Sequence, residues 1–253
     1  CILRLLPKPE MSRSVLIAYP DLSTGISSVL KVIKANAGPT AIEFVERSVV
    51  ELGERYTGIR FPSDKGDAYI LLTFDGGEST VAAGIERVRG VAEATGAADF
   101  IVLDTPELIS EVWQIRGCLV KAVEATSEQE PVDLVVPIDR TAEFISYVHK
   151  VEKESGMQMV SFGHAGDGNV HLCIVRGARD DATWTRELHA NMEKIYGKAY
   201  SLGGLTSGEH GIGIAKRPYF FEQMSEVNLE LMRGIKDSLD RKHLLNDHIS
   251  YLK

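Results

Sequence analysis

Short apolar segments alternate with longer amphipathic ones along the chain, and this alternation restricts the available folds more than any other feature. Segments such as AYILLTF (68–74) have the length and apolar content of buried strands. Stretches between them, such as 141–156, have helical periodicity and end at glycine. The expected strands are 14–19, 40–46, 68–74, 99–104, 132–137, 158–165 and 169–175.

The order of these segments predicts an α+β fold. About seven strands with interleaved helices fit two ferredoxin-like split β-α-β repeats that share one mainly antiparallel sheet. The two halves repeat the order of strands and helices but not the amino-acid sequence. Asp21 or Ser23 is expected to cap the first helix, which Gly38 would end, and Gly156 is expected to end the helix over 141–156.

Charge and cysteine content narrow the function. A net charge of -8 and a pI near 5.4 argue against nucleic acid or an anionic membrane as a partner. The apolar runs are too short to span a bilayer. Cys1, Cys118 and Cys173 show no CxxC spacing, which favours a reducing, cytoplasmic location, with peripheral membrane attachment only through a partner.

Two histidines flank a turn in SFGHAGDGNVHLCI (161–174). If the strands on either side pair, His164 and His171 can sit opposite each other and converge on one metal ion. Two structural histidines with backbone partners are the alternative that this motif alone leaves open.

The turn itself is rich in glycine. Gly166 and Gly168 would permit the positive φ angles that a tight connection needs. Asp167 is expected either to accept a hydrogen bond from the turn backbone or to orient a histidine.

A second cluster, SLGGLTSGEHGIGIAKR (201–217), places five glycines around Glu209 and His210. It could be a flexible loop before a helix, and a phosphate loop is disfavoured because no strand leads into it. Glu209 with His164 and His171 gives two histidines and one carboxylate, a set that suits Zn²⁺, Fe²⁺ or Mn²⁺ and leaves positions open. His210 beside the cation would stay neutral and could act as a general base.

GHAGDGNVH (163–171) and GGLTSGEHGIG (203–213) resemble the two signature segments of the C-terminal cap domain of FAD-linked oxidases. This family includes D-lactate dehydrogenases, the FAD subunit of glycolate oxidase and D-2-hydroxyglutarate dehydrogenase. The resemblance covers most of the chain. ILRLLPKPE (2–10) resembles the strand that leaves the FAD-binding domain, 111–125 the helix that carries a substrate-binding arginine, and 132–145 the strand and helix that follow.

The resemblance implies a role for each site residue. His164, His171 and Glu209 match the ligands of a divalent metal, Zn, Fe or Mn. His210 matches the base that takes the hydroxyl proton of a D-2-hydroxy acid while hydride passes to the flavin, and Arg116 matches the arginine that pairs with the substrate carboxylate. The implied reaction is the FAD-dependent oxidation of a small 2-hydroxy acid to the 2-oxo acid. No residue of this chain is assigned to FAD binding.

Three departures from the family pattern bear on the substrate. In the 2-hydroxyglutarate enzymes a threonine, a lysine and an asparagine help to bind substrate, and the matching positions here are Val120, Pro131 and Cys173. A second carboxylate on the substrate would therefore lack these polar partners. The expected substrate is therefore a monocarboxylate such as D-lactate or glycolate.

The resemblance also implies a domain plan. Residues 1–12 would be the tail of an FAD-binding domain and a linker, 13–224 the cap domain with the metal site, and 225–253 a helix and tail that pack back on the FAD domain. Nothing here resembles the FAD domain itself, so the chain is expected to belong to a longer enzyme. An electron-transfer flavoprotein or an iron–sulfur subunit would accept the electrons, and a homo-oligomer is compatible with the sequence.

Two other functions are consistent with the residues. A metallohydrolase would use the same ligands to activate water, and a free-standing, non-catalytic cap would only bind a 2-hydroxy acid or a partner.

The remaining histidines and Lys216 are not expected to belong to the site. His149, His189, His243 and His248 are expected at the surface, and Lys216 is expected to be solvated at a helix start or in contact with an anion.

Overall fold

One antiparallel sheet of seven strands runs through the computed structural model, which describes residues 1–246. The strands are β1 (Met11–Tyr19), β2 (Ala41–Glu46), β3 (Ala68–Gly76), β4 (Asp99–Leu103), β5 (Gln129–Val135), β6 (Met159–His164) and β7 (Asn169–Val175). The helices are α1 (Leu22–Lys34), α2 (Arg47–Thr57), α3 (Glu78–Ala94), α4 (Pro106–Glu124), α5 (Thr141–Ser155), α6 (Asp181–Ser201), α7 (Arg217–Gln223) and α8 (Glu226–Leu239).

The strand order is β4-β1-β3-β2-β6-β7-β5, and neighbouring strands are antiparallel throughout. Strands β1 to β4 with their helices form one split β-α-β unit, and β5 to β7 with α5 and α6 form a second. A bridge between Val135 and Leu205 lies at the free edge of β5, where a fourth strand of the second unit would lie. The predicted α+β fold is confirmed.

Helices cover both faces of the sheet because its central strands are apolar at successive positions. Val15, Leu16 and Ile17 of β1 are all buried, and they alternate between two cores. Helices α1, α3, α5 and α6 pack over one face, and α2 and α4 pack over the other. Burial of each such side chain contributes about 1.5–3 kcal/mol. Helix α4 contacts β4, β5 and β7, so it reaches from the first unit to the second.

Local sequence explains several helix boundaries. Asp21 caps α1 through a 2.8 Å hydrogen bond from a backbone N–H, as predicted. Gly156 adopts a φ of 62° and ends α5. The predicted stop at Gly38 is wrong, because the chain already turns at Asn36, where φ is 51°, and α1 ends at Lys34.

The two ends of the chain bear on the predicted domain plan. Residues 1–10 are exposed and form no helix or strand, and the linker role of 1–12 stays a prediction. The predicted last helix is α8. Residues 247–253 of the predicted tail, including His248, lie outside the described residues. Within residues 1–246, no helix combines the length and the apolar character needed to cross a bilayer.

His149 on α5 is only partly at the surface. Its side chain is 41% exposed, and its Nε2 lies 3.1 Å from Oε2 of Glu46 on β2. The other carboxylate oxygen of Glu46, Oε1, accepts a hydrogen bond from Ser161. The hydrogen bond to Glu46 raises the pKa of His149 above its ordinary value despite partial burial.

We expect a His149→Gln variant to show the effect of this pair on stability. A raised folded-state pKa stabilises the fold below the unfolded pKa, and this contribution is lost as the pH rises through the folded value. The Tm difference between wild type and variant should therefore be about 1–2 °C at pH 6 and shrink by pH 9. Thermal melts followed by circular dichroism measure it, and a difference independent of pH would contradict it.

Candidate metal and substrate site

Four neighbouring strands place a row of ionisable side chains across one end of the sheet. Glu43 of β2 lies directly opposite His164 of β6, and Asp133 of β5 lies directly opposite His171 of β7. The strand order β2-β6-β7-β5 therefore puts each histidine beside a carboxylate. Both carboxylates are buried, Glu43 at 5% exposure and Asp133 at 1%.

The two histidines are diagonal neighbours and not directly opposed, which corrects the predicted register. His164 pairs with Asn169, and His171 pairs with Phe162. Diagonal residues on adjacent strands share a face and remain within reach of ring side chains. The two imidazole centroids lie 5.1 Å apart, so the rings still meet.

The turn between β6 and β7 needs glycine at one of the two predicted positions. Gly168 has a φ of 79°, and a Cβ there would lie 2.0 Å from the carbonyl oxygen of Val136. Gly166 does not adopt a positive φ, and a Cβ there would make only ordinary contact with Ile42, so this position does not require glycine. Oδ1 of Asp167 accepts a hydrogen bond from the N–H of Asn169 at 3.1 Å, the turn role predicted for it.

Asp133 holds the loop that carries Glu209 and His210. Its Oδ2 accepts hydrogen bonds from the N–H groups of Glu209 at 3.2 Å and His210 at 3.0 Å, and from Ser207 Oγ at 2.8 Å. Lys216 Nζ donates to the same oxygen at 2.9 Å. Burial opposes ionisation, but the hydrogen bonds from Lys216, His210 and Ser207 hold the pKa of Asp133 far below its ordinary value.

A close backbone approach brings this loop against the histidine hairpin. A Cβ on Gly208 would lie 2.1 Å from Nδ2 of Asn169 and 2.9 Å from Oδ1 of Asp133. Glycine is therefore required where the loop crosses β5 and β7. The crossing places the side chain of Glu209 next to the two imidazoles.

His164, His171 and Glu209 form a compact set of donor atoms. Oε1 of Glu209 lies 3.3 Å from Nε2 of His164 and 3.4 Å from Nε2 of His171, and the three atoms fall within 4.8 Å of one another. Bonds of about 2.1 Å to a tetrahedral ion give a donor separation of about 3.4 Å. The donor set thus fits a divalent metal.

The two histidines differ in pKa: burial lowers that of His164, but its hydrogen bond with Glu43 outweighs burial and raises the pKa above the ordinary value, whereas the pKa of His171 is lowered. Burial, with His164 and Arg116 nearby, lowers the pKa of His171 to about 4, so its imidazole is neutral near pH 7. Nδ1 of His164 lies 2.6 Å from Oε1 of Glu43, which leaves Nε2 facing Glu209. Neutral imidazole nitrogens are the form that binds metal.

A second donor set shares His171 with the first. Asp133, His171 and His210 also bring three potential ligand atoms together. The carboxylate of Asp133, however, already receives hydrogen bonds from Ser207 and Lys216 and from two backbone N–H groups. The set with Glu209 is therefore the better candidate.

All five predicted site residues line one cleft of about 240 Å³. Arg116 of α4 lies with its guanidinium 5.2 Å from the ring centroid of Phe162, and its Nη2 donates to Oε2 of Glu43 at 2.6 Å. The cleft is also lined by the three departure positions, Val120, Pro131 and Cys173. The structure brings together Arg116, His164, His171, Glu209 and His210.

Sequence reasoning missed Glu43 and Asp133. Asp133 is the single carboxylate of the apolar segment PVDLVV, and Glu43 is one of two carboxylates, with Glu46, in TAIEFVE. A charge in a buried strand needs a partner, so these acids could have been recognised as supports for nearby cations or imidazoles. The sequence left two places open for Lys216, solvent or contact with an anion. In the structure Lys216 is buried against the carboxylate of Asp133.

Solved structures resemble this fold closely. 4-Ethylphenol oxidase from Gulosibacter chungangensis aligns with a TM-score of 0.69 at 14% identity, over 96% of this chain and 54% of that one. p-Cresol methylhydroxylase aligns with a TM-score of 0.68 at 12% identity, over 95% and 52%. At these identities the likeness shows the fold alone.

Sequence comparison identifies the family. Residues 8–248 match the model of FAD linked oxidases, C-terminal domain, and the chain belongs to this family. It is 36% identical to the D-lactate dehydrogenase of Anaerostipes hadrus, over 96% of this chain and 53% of that protein. It is 27% identical to glycolate oxidase subunit GlcD of Bacillus subtilis, over 97% and 52%. The chain thus spans about half the length of these relatives.

We expect the pair of Lys216 with Asp133 to contribute strongly to stability. A Lys216→Met variant leaves a buried carboxylate without its cation, which costs about 3–5 kcal/mol. The Tm should fall by roughly 10 °C in calorimetry. Lys194→Met, at an exposed position of α6, is the matched control and should change the Tm little. An equal, small effect in both variants would refute this role for Lys216.

Proposed function

We propose that this chain forms the substrate- and metal-binding half of an FAD-dependent dehydrogenase. The enzyme would oxidise a small D-2-hydroxy acid, of the D-lactate or glycolate type, to the 2-oxo acid. The observation that carries the proposal is one cleft that joins a guanidinium, a three-donor metal set and an exposed imidazole. The D-lactate dehydrogenase and glycolate oxidase relatives support the same reaction class.

Arg116 is the proposed anchor for the substrate carboxylate. Its described hydrogen bonds use Nε and Nη2 and run to Glu43, so Nη1 remains available. A guanidinium presents its donors in a fixed plane and binds carboxylates with defined geometry. The acid would therefore enter with its carboxylate towards α4.

His164, His171 and Glu209 would hold the divalent metal. When bound, the metal lowers the pKa of the substrate hydroxyl, and FAD supplies the acceptor for the hydride. The three donor side chains also fix where the hydroxyl of the acid must lie, beside His210.

His210 is the proposed base. Its side chain is 60% exposed at the mouth of the cleft, and its ring stacks on His171 with centroids 5.3 Å apart. The hydrogen bond from its backbone N–H to Asp133 holds the main chain, and the stacking contact with His171 supports the ring. Its imidazole would take the hydroxyl proton and release it to solvent.

The cleft has an open side along His210 and Glu209, whose side chains are 60% and 51% exposed. A bound acid would leave one face uncovered there. We propose that the flavin, held by a further domain, covers this face.

The walls of the cleft favour a monocarboxylate. Val120, Pro131 and Cys173 offer no cation, and burial raises the pKa of the Cys173 thiol to about 12, so it stays neutral. A second carboxylate held there without a partner would lose its hydration. Lactate and glycolate have no such group.

A His210→Ala variant of the FAD-containing enzyme tests the proposed base. Loss of general-base catalysis should lower kcat by about 10²–10⁴-fold, while the visible flavin spectrum and the metal content stay unchanged. His189→Ala, on exposed α6, serves as the control. A kcat within tenfold of wild type would rule out His210 as the base.

Substrate preference tests the apolar walls. We expect kcat/KM for D-lactate or glycolate to exceed that for D-2-hydroxyglutarate by at least about 100-fold, because the distal carboxylate lacks a partner. A Pro131→Lys variant should raise kcat/KM for D-2-hydroxyglutarate roughly tenfold by supplying a cation. Equal activity of the wild type on both classes of acid would contradict the preference.

A further inference from the structure

We propose that Glu43 is a positioning residue that couples the metal set to the substrate arginine. The inference rests on the proposed function for what His164 and Arg116 bind, and on geometry for how they are joined. Glu43 belongs to neither signature segment and lies on β2, far from both in sequence.

Each oxygen of the Glu43 carboxylate serves a different part of the site. Oε1 lies 2.6 Å from Nδ1 of His164, and Oε2 accepts hydrogen bonds from Nη2 of Arg116 at 2.6 Å and from its Nε at 3.1 Å. The Glu43 side chain is only 7% exposed, so water does not compete well for either oxygen.

The contact with Oε1 selects the form of His164 that binds metal. A carboxylate only accepts hydrogen bonds, so the facing Nδ1 carries the proton. The lone pair then resides on Nε2, the atom directed at Glu209. Such carboxylate–histidine pairs fix the ring and strengthen it as a ligand.

The contact with Oε2 fixes the plane of Arg116 and balances its charge. The guanidinium is held on one edge by Glu43 and lies over the ring of Phe162. Without Glu43, an unpaired guanidinium would stand beside the metal set and repel a divalent cation. Loss of Glu43 thus weakens metal binding in two ways, because His164 loses its orienting partner and because the charge of Arg116 is no longer balanced. It also leaves the substrate arginine less firmly held.

The coupling through Glu43 lies where the two β-α-β units of the sheet meet. Glu43 and Arg116 belong to the first β-α-β unit, and His164 belongs to the second. The carboxylate sits at the β2–β6 pairing that joins the two units. The substrate arginine of one unit is therefore tied to the metal ligand of the other.

A Glu43→Gln variant tests the inference in the full chain. A glutamine has one accepting oxygen where the carboxylate has two, so it cannot serve His164 and Arg116 through separate oxygens. The Zn²⁺ affinity, measured by competition with a chromophoric chelator, should therefore fall about 10–100-fold. Glu43→Asp keeps the charge and should recover part of the affinity. In the FAD-containing enzyme, the KM for D-lactate should also rise in Glu43→Gln.

Glu46→Gln is the matched control. Glu46 is a buried carboxylate on the same strand, but it pairs with His149 and Ser161 outside the cleft. This variant should lose stability while the Zn²⁺ affinity stays within twofold of wild type. The same result for Glu43→Gln would overturn the inference and leave the proposed function standing. Absence of Zn²⁺ binding by the wild type, with His171→Ala as reference, would instead overturn both.

A spectroscopic test of the wild type does not depend on the folding of any variant. Nitrogen-15 NMR of the metal-free chain, in alkaline buffer where imidazole is neutral, should show His164 as the Nδ1–H tautomer. The Nε2–H tautomer as the main species would overturn the inference.

Discussion

The antiparallel pairing of β2 with β6 is the contact on which the rest of the site depends. It joins the two β-α-β units into one sheet and sets Glu43 opposite His164. Because side chains alternate between faces, a register shift of one residue would turn one member of this pair to the opposite core. The pairing of β5 with β7 does the same for Asp133 and His171. Backbone register thus determines the positions of the donor atoms.

Much of this arrangement was predictable from the sequence, for identifiable reasons. Apolar periodicity is local, so it located all seven strands and the helices α1 and α5. The two glycine-rich segments carried His164, His171, Glu209 and His210, and their joint occurrence indicated the family. What stayed hidden depends on pairings across the chain. The diagonal offset of the histidines follows from the hairpin register, and the partners of Glu43 are set by which strands become neighbours.

The chain supports its site with main-chain and buried contacts and leaves the reactive side chains exposed. Asp133 binds the loop through backbone N–H groups, so the side chains of Glu209 and His210 remain free for ligands. Lys216 balances the charge of that carboxylate, and Arg116 balances that of Glu43. Glu43 and Asp133 therefore each have one cation and one histidine neighbour. The charge left to the cleft is that of Glu209, which is the charge a metal cation would meet.

The separation of Glu43 from the metal ligands along the chain has a consequence for how the molecule folds. His164 lies 45 residues from Glu209, on the side of the second unit, and 121 residues from Glu43, so the contact with Glu43 closes only after both units have docked. Non-local contacts of this kind slow folding, since the chain must lose loop entropy before it gains them. A chain in which only the second unit has folded would hold the three ligands together but would lack Glu43 beside His164, and its affinity for the ion would be lower. Full metal affinity would then report docking of the two units, and bound metal would stabilise the docked sheet.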